Sequence, residues 1–280
     1  MSRLRVRHVT GYRYGGEVTQ SYNEARMLPP SGDGQFVLAS NLEISPISST
    51  HGYVDYWGTR VNSFEILTPH EALSLTATSL VEVMRPMHDR AAMSWEGLAV
   101  AARAAVGTVE QLQQTPLTDP PQEVRELARA AATGLDPCAA ALAVSREVHR
   151  RVTYMAGATS VQSTAQEAWA QGRGVCQDIA HITLGALRAI GVPARYVSGY
   201  LHPDPSFPLG TTVTGESHAW VEWFCGGWHG FDPTNDLEIG ERHVLVGRGR
   251  DYADVAPLRG IYAGPFGSRL FVEVEITREA

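Results

Sequence analysis

From Cys176 to Ile190 the chain reads CQDIAHITLGALRAI, apolar around the whole helical wheel through Ile179, Ala180, Ile182, Leu184, Ala186, Leu187 and Ile190. A helix without a polar face has to be wrapped by other elements. This segment therefore predicts the centre of a layered fold. It follows Gly172-Arg173-Gly174-Val175, so its first residue is a thiol at a helix N-terminus. Unpaired N–H groups and the helix dipole favour the thiolate there, the form that attacks carbonyls. Packing is the competing explanation, since a free cysteine behaves as a small hydrophobe. The remaining residues choose between them.

The elements that could wrap such a helix are legible on both sides. Residues 3 to 14 alternate Leu4, Val6, His8 and Tyr12 against Arg3, Arg5, Arg7 and Arg13, the pattern of a half-buried strand. FVLASNLEISP, HGYVDYWG, RVNSFEILTP and LSLTATSLVEVM continue as strands between Gly, Pro, Asn and Ser turns. Residues 1–85 predict an antiparallel, sandwich-like β unit, with a hairpin turning near Gly58. Residues 86–150 predict a helical segment. TDPPQEVRELARAAATG is read with Asp119 as cap and Gly134 as stop, and DPCAAALAVSREVHRRV with Asp136 as cap. In STAQEAWAQG, Ser163 and Gln166 have the spacing of a reciprocal cap, and Gly172 ends the helix. Residues 151–250 predict the core around Cys176, and residues 251–280 end in a strand, SRLFVEVEIT. Its Glu273 and Glu275 suit the arginine-rich face of the first strand, so it is expected to return there.

Composition narrows the class of activity. The 280 residues carry a formal net charge of -7, with 44% hydrophobic and 19% charged residues. No basic face for phosphates is indicated, which argues against nucleic acid as partner. All 23 cationic side chains are arginine, so the chain offers no lysine of its own as an acyl acceptor. The N-terminus lacks the apolar core of a signal peptide, and no apolar run approaches the ~20 residues needed to span a bilayer. Cys138, Cys176 and Cys225 are odd in number and widely spaced. That pattern reads as reduced thiols in a cytoplasmic protein without a disulfide framework.

A base for Cys176 is available in ESHAWVEWFCGGWHGFDPTND. On its first strand His218, Trp220 and Glu222 share a face; on its second Trp228, Gly230 and Asp232 do. A histidine oriented by a carboxylate is what activates a thiol. A two-residue loop at Gly226-Gly227 would put Asp232 on the wrong face. A three-residue loop pairs Phe224 with Trp228 and puts Asp232 opposite Trp220, diagonal to His218 at the ~7–8 Å that side chains can bridge. Gly227 is then expected in the left-handed position. Singly, each of Cys176, His218 and Asp232 has a structural explanation, and the register permits the three to meet.

GRGVCQDIAHI, GVPARYVSGYL, SHAWVEWF and WHGFDPTND, in this order, resemble the bacterial transglutaminase-like superfamily, a papain-like cysteine fold. The leading β unit resembles the N-terminal region that accompanies it. The resemblance implies an α+β fold with a central buried helix against an antiparallel sheet. It also implies a Cys-His-Asp triad falling on Cys176, His218 and Asp232. It implies cysteine-dependent amide hydrolysis or acyl transfer through a thioester, peptidase or amidase work favoured over crosslinking, on a peptide or protein amide. ATP-grasp and alpha-E proteins are implied as partners of some members. The calcium sites of eukaryotic members have no visible counterpart and no EF-hand-like acidic loop appears, so neither metal nor cofactor is expected. A non-catalytic adaptor built on the same fold is the rival reading.

Tyr154 and Gln177 are the candidate oxyanion donors, Gln177 more by its backbone N–H than its side chain, and Trp220 a candidate cleft wall. His181, five residues past Cys176, has the wrong helical spacing for a zinc pair and reads as a packed core histidine. Cys138 reads as structural. The Pro- and Gly-rich stretch from His202 to Glu216 leads directly into His218 and is expected to be a lid.

Overall fold

Alternation of buried and exposed residues begins at the second residue. In the computed structural model, which describes residues 1–84, 93–204, 206, 208–215 and 217–280, this first strand is β1 (Ser2–Val18). β2 (Gln20–Ala25), β3 (Gln35–Ser45), β4 (Thr50–Val54), β5 (Arg60–Ile66) and β6 (His70–Val83) follow. Gly58 turns the β4–β5 hairpin at φ 81°. The boundary read at 85/86 lies outside the described residues.

Helices α1 (Trp95–Ala104), α2 (Val106–Val109), α3 (Gln122–Ala131) and α4 (Pro137–Arg151) come next. Asp136 caps α4 as its residue type suggests, accepting from the N–H groups of Cys138 and Ala139. Asp119 does not cap α3: the capping position is Pro121, and the Asp119 carboxylate instead pairs with Arg125. After β7 (Thr153–Tyr154), helix α5 (Ala165–Gln171) begins one residue later than expected. Thr164 and Glu167, not Ser163 and Gln166, form its reciprocal cap. β8 (Arg173–Gly174) leads into α6 (Cys176–Ala189), and β9 (Ala194–Leu201), β10 (Thr212–Gly215), β11 (His218–Phe224) and β12 (Trp228–Asp232) follow. β13 (Leu237–Glu238), β14 (His243–Gly249), α7 (Tyr252–Val255), β15 (Leu258–Ala263) and β16 (Ser268–Arg278) complete the described strands and α-helices.

The strands assemble into an α+β fold with antiparallel main sheets. One sheet runs β10-β16-β1-β6-β3, a second β15-β2-β5-β4, and a third β13-β12-β11-β9-β14. β16 pairs with β1 from Leu4↔Arg278 to Tyr14↔Ser268, setting Arg7 opposite Glu275. Buried Ala25, Phe64, Leu73 and Leu75 belong to the core of the N-terminal β region. α6 lies against β9 and β11 in the largest core, with Ile179, Ile182, Leu184 and Leu187 wholly buried beside Val221 and Trp223. At the far end of α6, buried Arg188 donates to the carbonyls of Gln111, Ala194 and Arg250, replacing the water its guanidinium lost.

The first and third sheets meet through Leu4, Val6, Val81 and Ile276 on one side and Tyr200, Val244 and Val246 on the other. Within this seam Tyr200 donates its hydroxyl proton to the Met27 carbonyl at 3.2 Å, so His8 Nδ1 donates to the Tyr200 oxygen at 2.9 Å. Burial holds His8 down to about 4, so it stays neutral there.

The expectation of reduced thiols without a disulfide needs correction. Cys138 and Cys225 are joined in a disulfide across 87 residues, with Cα atoms 5.8 Å apart, and only Cys176 is free. Spacing in sequence could not show this, because the pairing is made by α4 packing on the end of β11. The hairpin loop does pair Phe224 with Trp228, but its left-handed residue is Gly226, at φ 90°, and not Gly227. The stretch read as a lid is also partly strand: Thr212–Gly215 pairs with β16 along Thr212↔Thr277 to Gly215↔Val274.

Candidate active site

The thiol is delivered by backbone geometry. Gly172 ends α5 in the left-handed conformation, at φ 63°, a position that suits glycine. Gly174 then passes so close to Asp178 that an added Cβ would lie 2.7 Å from it. The Asp178 carboxylate accepts from the Val175 N–H at 2.8 Å and from the Thr159 hydroxyl, which fixes the first turn of α6. Burial pushes the Asp178 carboxyl above its ordinary range, while those two hydrogen bonds pull it down. The N–H groups of Cys176 and Gln177 belong to the first turn of α6, where an α-helix supplies no acceptor of its own.

β11 brings His218 to the same place. Its Nε2 lies 2.7 Å from Asp232 Oδ2, so the nitrogen left for the thiol is Nδ1. Asp232 is wholly buried, at 0% exposure. Its Oδ1 accepts from the backbone N–H groups of Thr234 and Asn235 at 2.9 and 3.2 Å, and Oδ2 also accepts from Asn235 Nδ2 at 2.8 Å. Burial alone would lower the His218 pKa. The Asp232 charge and hydrogen bond, with a hydrogen bond and charge from Cys176, reverse that and raise it to about 10. For Asp232 burial acts upward, but the charge of His218, hydrogen bonds from His218 and Asn235, and the nearby His243 ring hold it well below the usual carboxylate range. The arrangement can keep an imidazolium beside a thiol.

Cys176 and His218 open onto a cleft of about 350 Å³. The central core supplies Tyr154, Leu201, Thr234 and Asn235, while Val213, Thr214 and Gly215 of β10 and Ile276 of β16 form the opposite wall. The first sheet thus contributes directly to the cleft. A larger open groove of about 710 Å³ crosses Tyr22, Phe64, Arg259 and Ile261, and includes neither Cys176 nor His218. The chemistry points to the smaller one.

Of the residues singled out in the sequence, Cys176, His218 and Tyr154 line the cleft, and Asp232 lies behind His218. Tyr154 is half exposed, carried on β7 where it pairs with Gly174 of β8. Gln177 directs its side chain away, donating to the Val161 carbonyl at 3.2 Å, which leaves only its backbone for the cleft. Trp220 is wholly buried and not among the cleft residues; its ring packs behind His218 at 6.3 Å. His181 is a core residue, accepting from the Tyr252 N–H at 3.2 Å and held down to about 3 by burial and Arg188. Sequence reasoning missed two neighbours of Asp232. Asn235 sits inside the WHGFDPTND stretch, and His243 begins the alternating HVLVG strand, where it looks like an ordinary strand residue.

These features define a cysteine-enzyme fold. Residues 4–82 match the bacterial transglutaminase-like N-terminal region and residues 125–233 match the transglutaminase-like superfamily. Uncharacterized protein ML0607 of Mycobacterium leprae is 44% identical over 283 residues, covering 100% of both chains. Uncharacterized protein Rv2569c of Mycobacterium tuberculosis is 35% identical over 98% of this chain and 92% of its own. The crystal structure of a candidate cysteine protease from Cytophaga hutchinsonii has the same fold, with a TM-score of 0.81 at 20% identity over 99% of this chain and 90% of that one. The chain belongs to the transglutaminase-like superfamily. No helix among the described residues is long and apolar enough to cross a membrane.

Proposed function

We propose that the protein is a cysteine-dependent amide hydrolase acting on peptide or protein amides through a thioester, with Cys176 as nucleophile, His218 as acid and base, and Asp232 as its orienting carboxylate. The observation that carries this reading is the 2.7 Å contact between His218 Nε2 and buried Asp232, in a cleft that also opens on Cys176. The Cys176 thiolate attacks the carbonyl carbon, and the oxyanion takes hydrogen bonds from the first-turn N–H groups of α6. His218 passes its Nδ1 proton to the leaving amine as the C–N bond breaks. Water, deprotonated by His218, then attacks the thioester, releasing the acid and restoring the thiol. An amine could take the place of water by the same steps.

The test separates these acceptors. Small glutamine peptides are incubated with the protein, with and without an added primary amine, and ammonia release, peptide cleavage and amine incorporation are followed alongside Cys176→Ala. Hydrolysis that depends on Cys176 and continues without the amine supports the reading. Turnover that survives Cys176→Ala would contradict it.

A further inference from the structure

Asp232 has a second imidazole beside it. His243, at the start of β14, is buried, and its Nε2 lies 3.6 Å from the same Oδ2 that accepts from His218. Its other nitrogen is engaged: the Gly240 N–H donates to Nδ1 at 3.3 Å. An accepting Nδ1 places the single proton of the neutral ring on Nε2, directed at the carboxylate. Protonating His243 would set two N–H groups against each other at Gly240. The Gly240 contact thus favours the Nε2–H tautomer of His243, beside the His218 ring. The buried Trp220 ring fills the corner between them, 5.4 Å from His243 and edge-on to it, and 6.3 Å from His218.

We propose that His243 is a positioning residue: its neutral Nε2–H limits rotation of the Asp232 carboxylate and keeps Oδ2 aimed at His218. The 3.6 Å separation exceeds an ordinary hydrogen bond. At that range the N–H acts as a dipole aimed at the carboxylate charge, an attraction that burial of both groups strengthens. Asn235 anchors the carboxylate from one side, through its side chain at 2.8 Å, and His243 approaches it from another. His243 touches neither thiol nor substrate in this scheme. The inference rests on the proposed roles of Cys176, His218 and Asp232, but its readout does not need turnover.

The titratable groups around His218 are Cys176 on α6, Asp232 on β12, His243 on β14 and Tyr154 across the cleft. The test follows the His218 ring by NMR titration in the full chain, comparing the wild type with His243→Gln and His243→Asn. The glutamine amide reaches the Nε2 position and keeps a donor for Asp232. The asparagine amide reaches only the Nδ1 position and keeps the Gly240 contact. Positioning predicts that His243→Asn lowers the His218 titration by about one pH unit, as expected when an adjacent opposite charge loses its alignment. His243→Gln should stay close to wild type. With a cleaved substrate, kcat should fall roughly tenfold in the asparagine variant at nearly constant KM, because misaligning the acid costs the transition state and not substrate binding. Equal titration in both variants, or a larger fall in the glutamine one, would overturn the role. A wild type without amide turnover would sink the proposed activity instead, while the titration would still decide for or against His243.

Discussion

His218 Nε2 and Asp232 Oδ2 are 2.7 Å apart, and Asp232 is sealed from solvent by a loop whose own N–H groups hold its other oxygen. The carboxylate is therefore fixed before any substrate arrives. In the proposed reaction its charge supports the imidazolium that protonates the leaving amine.

Asp232→Asn keeps the shape of this contact and removes the charge. The expected loss in kcat is ~10³–10⁴-fold, the scale seen when an orienting aspartate is neutralised in a triad. Circular dichroism should remain native-like. Steady-state kinetics within tenfold of wild type would show that the carboxylate does not support the acid.

The same pair makes stability depend on pH. His218 is raised to about 10 in the folded state, against about 6.5 when unfolded. Its contribution is complete below the unfolded value and is lost as pH rises through the folded one. Asp232 is depressed, so its contribution is present above about 3.9 and lost as pH falls further. Urea unfolding of wild type and His218→Gln should therefore differ most near pH 5.5 and converge toward pH 10. A difference that stays flat or grows with pH contradicts the assignment.

The Cys138–Cys225 bond closes a loop of 87 residues and ties the first turn of α4 to the hairpin that carries His218 and Asp232. Loop-closure entropy assigns such a link about 4.6 kcal/mol. In a Cys176→Ala background, adding a thiol reductant or replacing Cys225 by serine should lower the urea midpoint accordingly. An unchanged midpoint, with free thiols confirmed by mass, would show that the bond does not stabilise the fold.

β16 belongs to two structures at once: it pairs with β1 and β10, and its Ile276 is both a buried seam residue and part of the cleft wall. Ile276→Ala should cost about 2–5 kcal/mol through the cavity it leaves. Because β10 rests on β16, KM for a cleaved amide should rise as well. Loss of stability with unchanged KM would separate the seam from substrate binding.

Much of this was legible in the residues. The all-round apolar pattern of α6 identified the central helix, and the glycines before it identified the start that presents Cys176. The register of the β11–β12 hairpin followed from loop length and strand alternation, both local. The arginines of β1 and the glutamates of β16 pointed to a pairing across nearly the whole chain. What escaped depends on packing between distant segments. Cys138 meets Cys225 only because α4 lies against the end of β11. Thr212–Gly215 is a strand only because β16 offers an edge. Trp220 shares an alternation face with His218, yet that face turns inward at Trp220 and meets the cleft only at its end. His243 carries no local signal, since its role comes from a neighbour contributed by another strand.

The proposed chemistry depends above all on Cys176 being held as an activated thiol by His218. The pH dependence of Cys176 alkylation by iodoacetamide reads this directly, with the modified residue located by peptide mass mapping. An activated thiol should be modified fast, at Cys176 alone and nearly independently of pH between about 5 and 9, with His218→Ala restoring the rise through ~8.5 of an ordinary thiol. A wild-type rate that already climbs through ~8.5, unchanged in His218→Ala, would contradict the activation of Cys176 by His218.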